Sequence, residues 1–336
     1  MTHYRLALLG LGNVGRNLVK LLGQKRAELQ ARYGITYAIT GIASRRLGWL
    51  VNDAGFDLDA ALADPVAAAA TKADSLDAWL AAARPNVLFE NSSMNPHTGQ
   101  PALDYCRAAL GRGIHVVTAN KGPVVHGYHE LRQLADSQGV RFLFEAAVMG
   151  GAPIFSLFRE ALPACNLKRF RGILNSTTNL ILTEMEGGLS YAAAVKKAQD
   201  LGIAETDPSF DVDGWDAAVK VAAIATVLMD VPVKPADVKP IGITGLTQEQ
   251  IRAARAAGRP YKLVCQAVKD DAGQVTVSVA PQQLEPTDPL ANVNGSDSLA
   301  IFETDTLYRL NLSEGGADAY TTAYGPLADF ITICKS

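Results

Sequence analysis

Cysteine is scarce: four residues, Cys106, Cys165, Cys265 and Cys334, stand far apart in 336, with no CxxC and no Cys/His cluster. That spacing argues against a disulfide framework or a zinc site and predicts free buried thiols in a reducing compartment. An excess of charge of one sign is also missing. Lys and Arg number 31 against 34 Asp and Glu, a net charge of −3, so no basic excess marks a nucleic-acid binder and no acidic tail is present. Long hydrophobic runs are absent. Ala217 to Met229 is interrupted by Lys220 and falls short of the roughly 18 residues of a membrane span. The first residues enter a strand-like run, Tyr4 to Leu9, without the cationic start and apolar core of a secretory leader. The expectation is a cytoplasmic protein that engages neither membrane nor nucleic acid.

Apolar types make up 48% of the chain and charged types 19%, which is enough apolar material for a sizeable core. At about 150 residues per domain the length predicts roughly two domains. Strand-like runs at 4–9, 36–43, 87–90, 116–118 and 141–145 alternate with helix-like stretches at 14–32, 60–70, 76–83, 101–110 and 128–138. Short apolar strands joined through helices predict an α/β fold, a Rossmann-type doubly wound parallel sheet. The character changes at Met149-Gly150-Gly151-Ala152-Pro153. Helical patterns follow at 154–162, 177–185, 191–201 and 215–229, with strand patterns at 170–174, 261–268, 275–279, 299–304 and 307–312. These predict a second, α+β domain. A last helix, about 320–332, is expected to fold back on the first domain.

Gly10-Leu11-Gly12-Asn13-Val14-Gly15 is a GxGxxG run between a buried-type strand and a helix. Gly10 permits the tight turn, Gly12 lets a pyrophosphate approach the backbone, and Gly15 lets the helix pack closely on the sheet. The helix N-terminus favours the phosphate charge. The letters alone also fit a glycine turn that binds nothing; the strand-turn-helix context favours a dinucleotide. The second strand is followed by Ser44-Arg45-Arg46, where an NAD-selective site places Asp or Glu. A serine and two arginines suit a 2′-phosphate and favour NADP, although surface arginines are the plainer alternative. Asn91-Ser92-Ser93 follows the strand at 87–90, at the rim where ligands lie, and Ser92 and Ser93 are candidates to bond ribose or nicotinamide. The expected division is a dinucleotide-binding domain over 1–148, joined by the helix within about 313–336, and a substrate-binding, catalytic and dimerisation domain over 149–312.

Thr118-Ala119-Asn120-Lys121-Gly122 lies past another strand end on the same rim. Lys121 there has access to nicotinamide and substrate, and by position alone a solvated loop lysine fits equally well. The densest constellation runs from Glu205 to Lys220 and includes Asp207, Asp211, Asp213 and Asp216. Asp213, Asp216 and Lys220 are spaced for one helical stripe. An Asp four residues before a Lys is commonly a surface pair worth about 0.3–0.5 kcal/mol. Here the neighbours are Trp, Ala, Val and Ile, which predicts a partly buried lysine. Burial would lower its pKa towards neutrality, with the aspartate opposing part of the shift. Asn175-Ser176-Thr177-Thr178-Asn179 joins a strand to a helix, and its caps and free N–H groups suit a substrate carboxylate or simply cap the helix. His126 and His129 are three apart, with no third metal ligand evident.

Together these motifs resemble homoserine dehydrogenase along nearly the whole chain. The segments are Gly10–Gly15, Thr118–Lys121, Glu145–Pro153, Gly172–Asn179, Gly202–Lys220 and Asn292-Val293-Asn294-Gly295. The stretch Gly202-Ile203-Ala204-Glu205…Asp207-Pro208…Asp211…Gly214-Trp215-Asp216-Ala217-Ala218…Lys220 is the most specific. The resemblance implies NAD(P)-dependent interconversion of L-aspartate 4-semialdehyde and L-homoserine, in the aspartate route to threonine and methionine. It implies that Lys220 is the proton donor, that Lys121 lies between cofactor and substrate, and that Glu205 holds the substrate amino group. Asp211 and Asp216 order substrate and Lys220, while Gly202 and Gly316 touch the cofactor through their backbone. It further implies a site for Na+ or K+, with Glu145 as its carboxylate and Val148, Gly150 and Ala152 supplying backbone oxygens. A homodimer is implied as well.

The chain departs from the family's pattern at Met149, at Ser176 and in Glu314-Gly315-Gly316-Ala317-Asp318. Two alternatives follow: a dehydrogenase of another small amino- or oxo-acid, and a non-catalytic dinucleotide-binding sensor. The length leaves no expected place for a threonine-binding ACT module or a kinase domain.

Overall fold

The apolar run near the N-terminus forms β1 (Thr2–Leu9), whose last four residues are buried, the pattern of a strand in mid-sheet. The computed structural model describes residues 2–335; the outer limits of the expected domain ranges, 1 and 336, lie outside the described residues. The chain divides into two units, one running to Gly151 and taken up again from Ala319, the other spanning Ala152–Asp318.

In the first unit, β1 leads into α1 (Asn13–Tyr33). Then come β2 (Ile35–Ser44), β3 (Gly48–Val51), α2 (Leu58–Ala63), β4 (Thr71–Ala73), α3 (Leu76–Ala83) and β5 (Val87–Glu90). The unit continues with α4 (Ala102–Leu110), β6 (His115–Thr118), α5 (Lys121–Gln138), β7 (Phe142–Leu143) and α6 (Ala146–Met149). The sheet order is β4-β3-β2-β1-β5-β6-β7. β2, β1, β5, β6 and β7 are parallel. Chain order reverses between β1 and β5, which opens a crevice beyond their C-terminal ends. The final helix, Ala319–Lys335, packs on α1, and its fully buried Phe330 meets Tyr4 and Phe89 edge-on at 5.5 and 5.9 Å.

Three local readings need correction. The helix expected over 60–70 stops at Ala63. Pro65 follows, and the Asp64 carboxylate accepts from Val66 N and Ala67 N at 3.0 and 3.1 Å, which diverts the backbone into a turn. β3 and β4, not foreseen, add an antiparallel edge to the parallel sheet. The helix expected from Tyr128 begins at Lys121. Gly122 and Pro123 fall in its first turn, where proline's missing N–H costs nothing and Asn120 caps Gly122 N at 2.9 Å.

The second unit carries α7 (Ile154–Ser156), which continues as a π-helical turn, Leu157–Ala161. β8 (Leu167–Ile173), α8 (Ser176–Glu186), α9 (Tyr191–Asp200), α10 (Ser209–Val212), α11 (Trp215–Leu228), α12 (Pro235–Val238) and α13 (Gln248–Ala256) follow. The remaining strands are β9 (Tyr261–Lys269), β10 (Val275–Gln283), β11 (Ser298–Thr304) and β12 (Leu310–Glu314). All pair antiparallel in the order β10-β9-β8-β11-β12. α11 packs across β9 and β10. β10 runs past its expected end, and its Pro281 is tolerated because β10 is an edge strand. β12 starts later than expected because Thr304 N bonds Leu307 O at 3.0 Å and closes a turn there. The four cysteines are free; Cys106 and Cys265 are buried, but Cys165 and Cys334 are only half-buried. No helix among the described residues is long and apolar enough to cross a membrane.

At the rim of the first unit, β5 ends in a carboxylate that the apolar pattern of Val87-Leu88-Phe89 hides. Glu90 is fully buried. It accepts from Ser92 N at 2.8 Å and from Thr118 Oγ1 at 2.9 Å. Thr118 Oγ1 accepts from Asn120 N at 2.9 Å, and Asn120 Nδ2 donates to Ser92 O at 3.2 Å. A closed ring thus ties the loop after β5 to the loop after β6. Burial pushes the Glu90 carboxyl above the usual carboxylate range, against the pull of its donors. Between the ordinary value and the raised one the folded protein binds more protons than the unfolded chain, so this group makes stability fall as pH rises. Urea unfolding across that window should show a slope approaching about 1.4 kcal/mol per pH unit. Glu90→Gln should flatten it; equal slopes in the two proteins would refute this account of Glu90.

Candidate active site

In the first unit the crevice beyond β1 and β5 is a cavity of about 800 Å3. Gly10, Gly12, Ser44, Arg45, Arg46, Ser92 and Ser93 all line it. Gly10 has φ 101°, and a Cβ there would lie 2.3 Å from Asn91 O, so no larger residue fits the turn. A Cβ on Gly15 would strike Gly10 O at 2.1 Å, which explains the third glycine as close helix–strand packing. A Cβ on Gly12 would meet nothing within 4 Å, so the backbone is bare where phosphate oxygens would approach. Asn13 and Val14 form the first turn of α1.

These observations fit a dinucleotide. The α1 N-terminus supplies N–H groups, and Arg16, Arg45 and Arg46 bring positive charge. Arg45 and Arg46 are exposed in the turn after β2 and carry no ion pair among the described residues. Arg16, Trp49, Asn95 and Tyr105 also line the cavity and went unnoticed in the sequence, since three come from elements outside the glycine motif. Lys121 is half-buried at the first position of α5, next to the Asn120 cap.

In the second unit a compact polar cluster forms where β8, α8, α10 and α11 converge. α11 carries Asp216 and Lys220 one turn apart, with Ala217, Ala218, Val219 and Val221 buried around them. Lys220 Nζ is 2.8 Å from Asp216 Oδ2 and donates to Leu174 O at 2.6 Å. The two side chains are only 16% and 11% exposed, which separates this pair from an ordinary surface ion pair. Asn175, the N-cap of α8, donates to Asp211 Oδ1 at 2.6 Å and to Asp216 Oδ2 at 2.9 Å. Thr177, buried in the first turn of α8, donates to Ile203 O at 3.2 Å and so holds the loop that carries Gly202 and Glu205. Asp213 departs from the expected stripe. It is exposed and caps the end of α10, before α11 begins, because Gly214 at φ 86° breaks the helix between them.

Electrostatics here differ from expectation in one respect. Burial disfavours the Lys220 ammonium and is the largest influence on it, but Asp216, in contact, and Asp211 together outweigh it. The lysine therefore holds its proton more tightly than a free lysine, where one opposing carboxylate had suggested a net fall. Burial and the neighbouring Asp216 charge raise the Asp211 carboxyl, while Asn175, Lys220 and Thr177 oppose the rise. Cys265, on β9 with its Sγ 3.9 Å from Ala217 O, is buried and its thiol is pushed up to about 12, so it stays neutral. The carbonyl of Leu174 and this thiol were not legible in the sequence, because β8 and β9 reach Lys220 only through the tertiary fold.

Glu205 is exposed in the α9–α10 connection, its carboxylate without a bonded partner among the described residues. Gly202 and Gly316 sit in left-handed turns at φ 71° and 63°. Glu145 is buried at the end of the segment after β7, its backbone N–H donating to Asp329 Oδ2 at 2.8 Å. Val148 lies in α6, Gly150 ends it, and Ala152 begins the second unit.

Comparison with known proteins bears directly on these two units. Residues 10–145 match the family model of the homoserine dehydrogenase NAD-binding domain, and residues 153–331 match that of homoserine dehydrogenase. An NAD(+)-dependent homoserine dehydrogenase of Pseudomonas canavaninivorans is 36% identical over 100% of this chain and 97% of its own. A crystal structure of a putative homoserine dehydrogenase from Archaeoglobus fulgidus superposes with a TM-score of 0.87 at 34% identity, covering 98% of this chain and 99% of that one. A hyperthermophilic archaeal homoserine dehydrogenase in complex with NADPH gives 0.81 at 29% identity, over 99% and 98%. A glycine-lined nucleotide cavity, an acid-steered lysine and two family models that together span nearly the whole chain lead to one conclusion: the chain belongs to the homoserine dehydrogenase family of oxidoreductases and carries that family's NAD-binding domain.

Proposed function

We propose that the chain interconverts L-homoserine and L-aspartate 4-semialdehyde with NADP as the preferred cofactor and Lys220 as acid and base. The observation that carries the reading is the disposition of the Lys220 ammonium. Asp216 Oδ2 and Leu174 O take two of its three hydrogens, and the third has no protein acceptor among the described residues. That hydrogen is the one available to a substrate oxygen. When bound, the nicotinamide supplies or takes up the hydride. In the reducing direction Lys220 gives its proton to the aldehyde oxygen as negative charge builds there. The raised pKa keeps the lysine charged for that task at neutral pH. In the oxidising direction the neutral amine takes the hydroxyl proton.

Substrate recognition needs an anion for the amino group and donors for the carboxylate. The Glu205 carboxylate, without a bonded partner among the described residues, suits the first, and the backbone N–H groups of Ser176 and Thr177 at the start of α8 suit the second, the Thr177 hydroxyl being given to Ile203 O. Asp211 and Asp216 set the field around Lys220. Lys121, seated by its Asn120 cap, is assigned a place beside cofactor and substrate, and Gly202 and Gly316 are assigned backbone contacts to the cofactor. The NADP preference rests on Ser44, Arg45 and Arg46 at the end of β2, two of them arginines without acidic partners. Glu145, with the carbonyls of Val148, Gly150 and Ala152, offers hard oxygen donors suited to Na+ or K+. A homodimer is supported by the open edges of β10 and β12 in the second unit.

Lys220→Ala should lower kcat by about 10²–10⁴-fold with the cofactor Kd nearly unchanged. Asp216→Asn removes an attraction that raises the Lys220 pKa, so the limb on which kcat/KM for homoserine oxidation rises with pH, which follows deprotonation of the Lys220 amine, should move to lower pH. A wild-type rate in the first variant, or an unmoved limb in the second, would contradict the role of Lys220. Initial rates should favour NADP over NAD, and Arg45→Ala with Arg46→Ala should erode that preference by about 10–100-fold; an unchanged ratio would remove the arginines from cofactor choice. Two wild-type measurements address the rest. Exchange of Na+ and K+ for choline should depress the rate, and light scattering should give the mass of two chains; no change and a single-chain mass would dismiss these assignments.

A further inference from the structure

Asn175 is the residue whose geometry departs furthest from the part the sequence suggests for it. It is 4% exposed at the junction of β8 and α8. A side-chain amide has two N–H hydrogens and one oxygen with two lone pairs. Here each is taken. The Nδ2 hydrogens go to Asp211 Oδ1 at 2.6 Å and Asp216 Oδ2 at 2.9 Å. Oδ1 accepts from Thr178 N at 2.8 Å and from Thr178 Oγ1 at 2.9 Å. A backbone N–H is only a donor, so the atom facing it is the oxygen and the amide has one orientation. Nothing remains to bind a substrate. The amide faces two carboxylates from different helices that would otherwise repel each other in a buried place.

We propose that Asn175 is a positioning residue rather than a substrate ligand: its amide clamps Asp211 to Asp216 and thereby holds Asp216 on Lys220. This rests on the assignment of Lys220 as acid and base. The clamp replaces a mobile counter-ion with two fixed donors, so both aspartates keep their charge while Asp216 stays within 2.8 Å of the lysine. Without it, the repulsion that already lifts Asp211 goes uncompensated, and one carboxylate takes up a proton at higher pH. The titratable groups facing the cluster are Asp211 from α10, Asp216 and Lys220 from α11, and Cys265 from β9, which stays neutral. Once one carboxylate is protonated, the lysine loses part of the field that fixes it.

The capping role and the clamping role can be separated. Serine caps a helix about as well as asparagine but has no amide donors. Asn175→Ser therefore keeps the bond to Thr178 N and loses the clamp, whereas Asn175→Ala loses both. The Asp211 carboxyl carbon, followed by NMR in selectively labelled full-length protein without substrate, should titrate about one pH unit higher in Asn175→Ser than in wild type. The acid limb of kcat/KM in the reducing direction, where Lys220 reacts charged, should move up with it, and kcat should fall about tenfold or more, with unfolding midpoints close to wild type. Asn175→Ala should show the same limb and a lower unfolding midpoint. An unmoved Asp211 titration in Asn175→Ser would overturn the clamp. A moved titration with an unmoved acid limb would overturn its part in catalysis. The NMR titration needs no turnover, so it stands even if Lys220→Ala shows the lysine assignment to be wrong.

Discussion

The contact between Lys220 and Asp216 inside an otherwise apolar helix is the constraint on which the second unit turns. An isolated ammonium in that setting would be driven to shed its proton, because desolvation penalises the charged form. Here desolvation is the largest single influence on the lysine and still loses to two carboxylates. The result is a lysine that is largely buried, charged and fixed at two of its three hydrogens. Losing either partner would leave a buried charge without compensation, which costs more than the pair itself contributes. The rest of the cluster follows from this need. Leu174 O anchors the head group, the neutral Cys265 thiol faces Ala217 O on the same helix, and Asn175 keeps the second carboxylate close.

The first unit meets a different constraint, close approach of backbone to backbone. Gly10 turns where a side chain would collide with Asn91 O, and Gly15 lets α1 pass against the turn itself. Gly12 is left bare towards the cavity. Glu90 then closes the rim by tying the Ser92 loop to Thr118 and Asn120. A carboxylate buried at a strand end is costly, and here it is offset by donors that need an acceptor in the same place. Both units thus place a buried acid where a loop or a lysine must not move.

Much of this was legible in the sequence, for identifiable reasons. Strands of the first unit are short apolar runs, and the glycine run sets the cavity because its spacing is a property of one turn. Asp216 and Lys220 announced themselves through helical spacing in an apolar context. What the sequence concealed came from tertiary convergence. Gly214, in a left-handed conformation, broke the stripe that would have included Asp213. α5 starts at Lys121, ahead of the expected Tyr128, with Pro123 in its first turn. Glu90 looked like the end of an apolar strand, and the opposing carboxylate of Asp211 could not be weighed against burial until α10 was seen beside α11. The resemblance singled out Asp211, Asp216 and Lys220 but not which of them touch one another.

The central claim is that the uncommitted hydrogen of Lys220 is delivered to the substrate oxygen. A structure of the ternary complex with cofactor and homoserine tests it most directly. The account predicts Lys220 Nζ within about 3.2 Å of the reacting oxygen with its contacts to Asp216 and Leu174 retained. A lysine turned towards bulk solvent, with the substrate oxygen held by other groups, would contradict it.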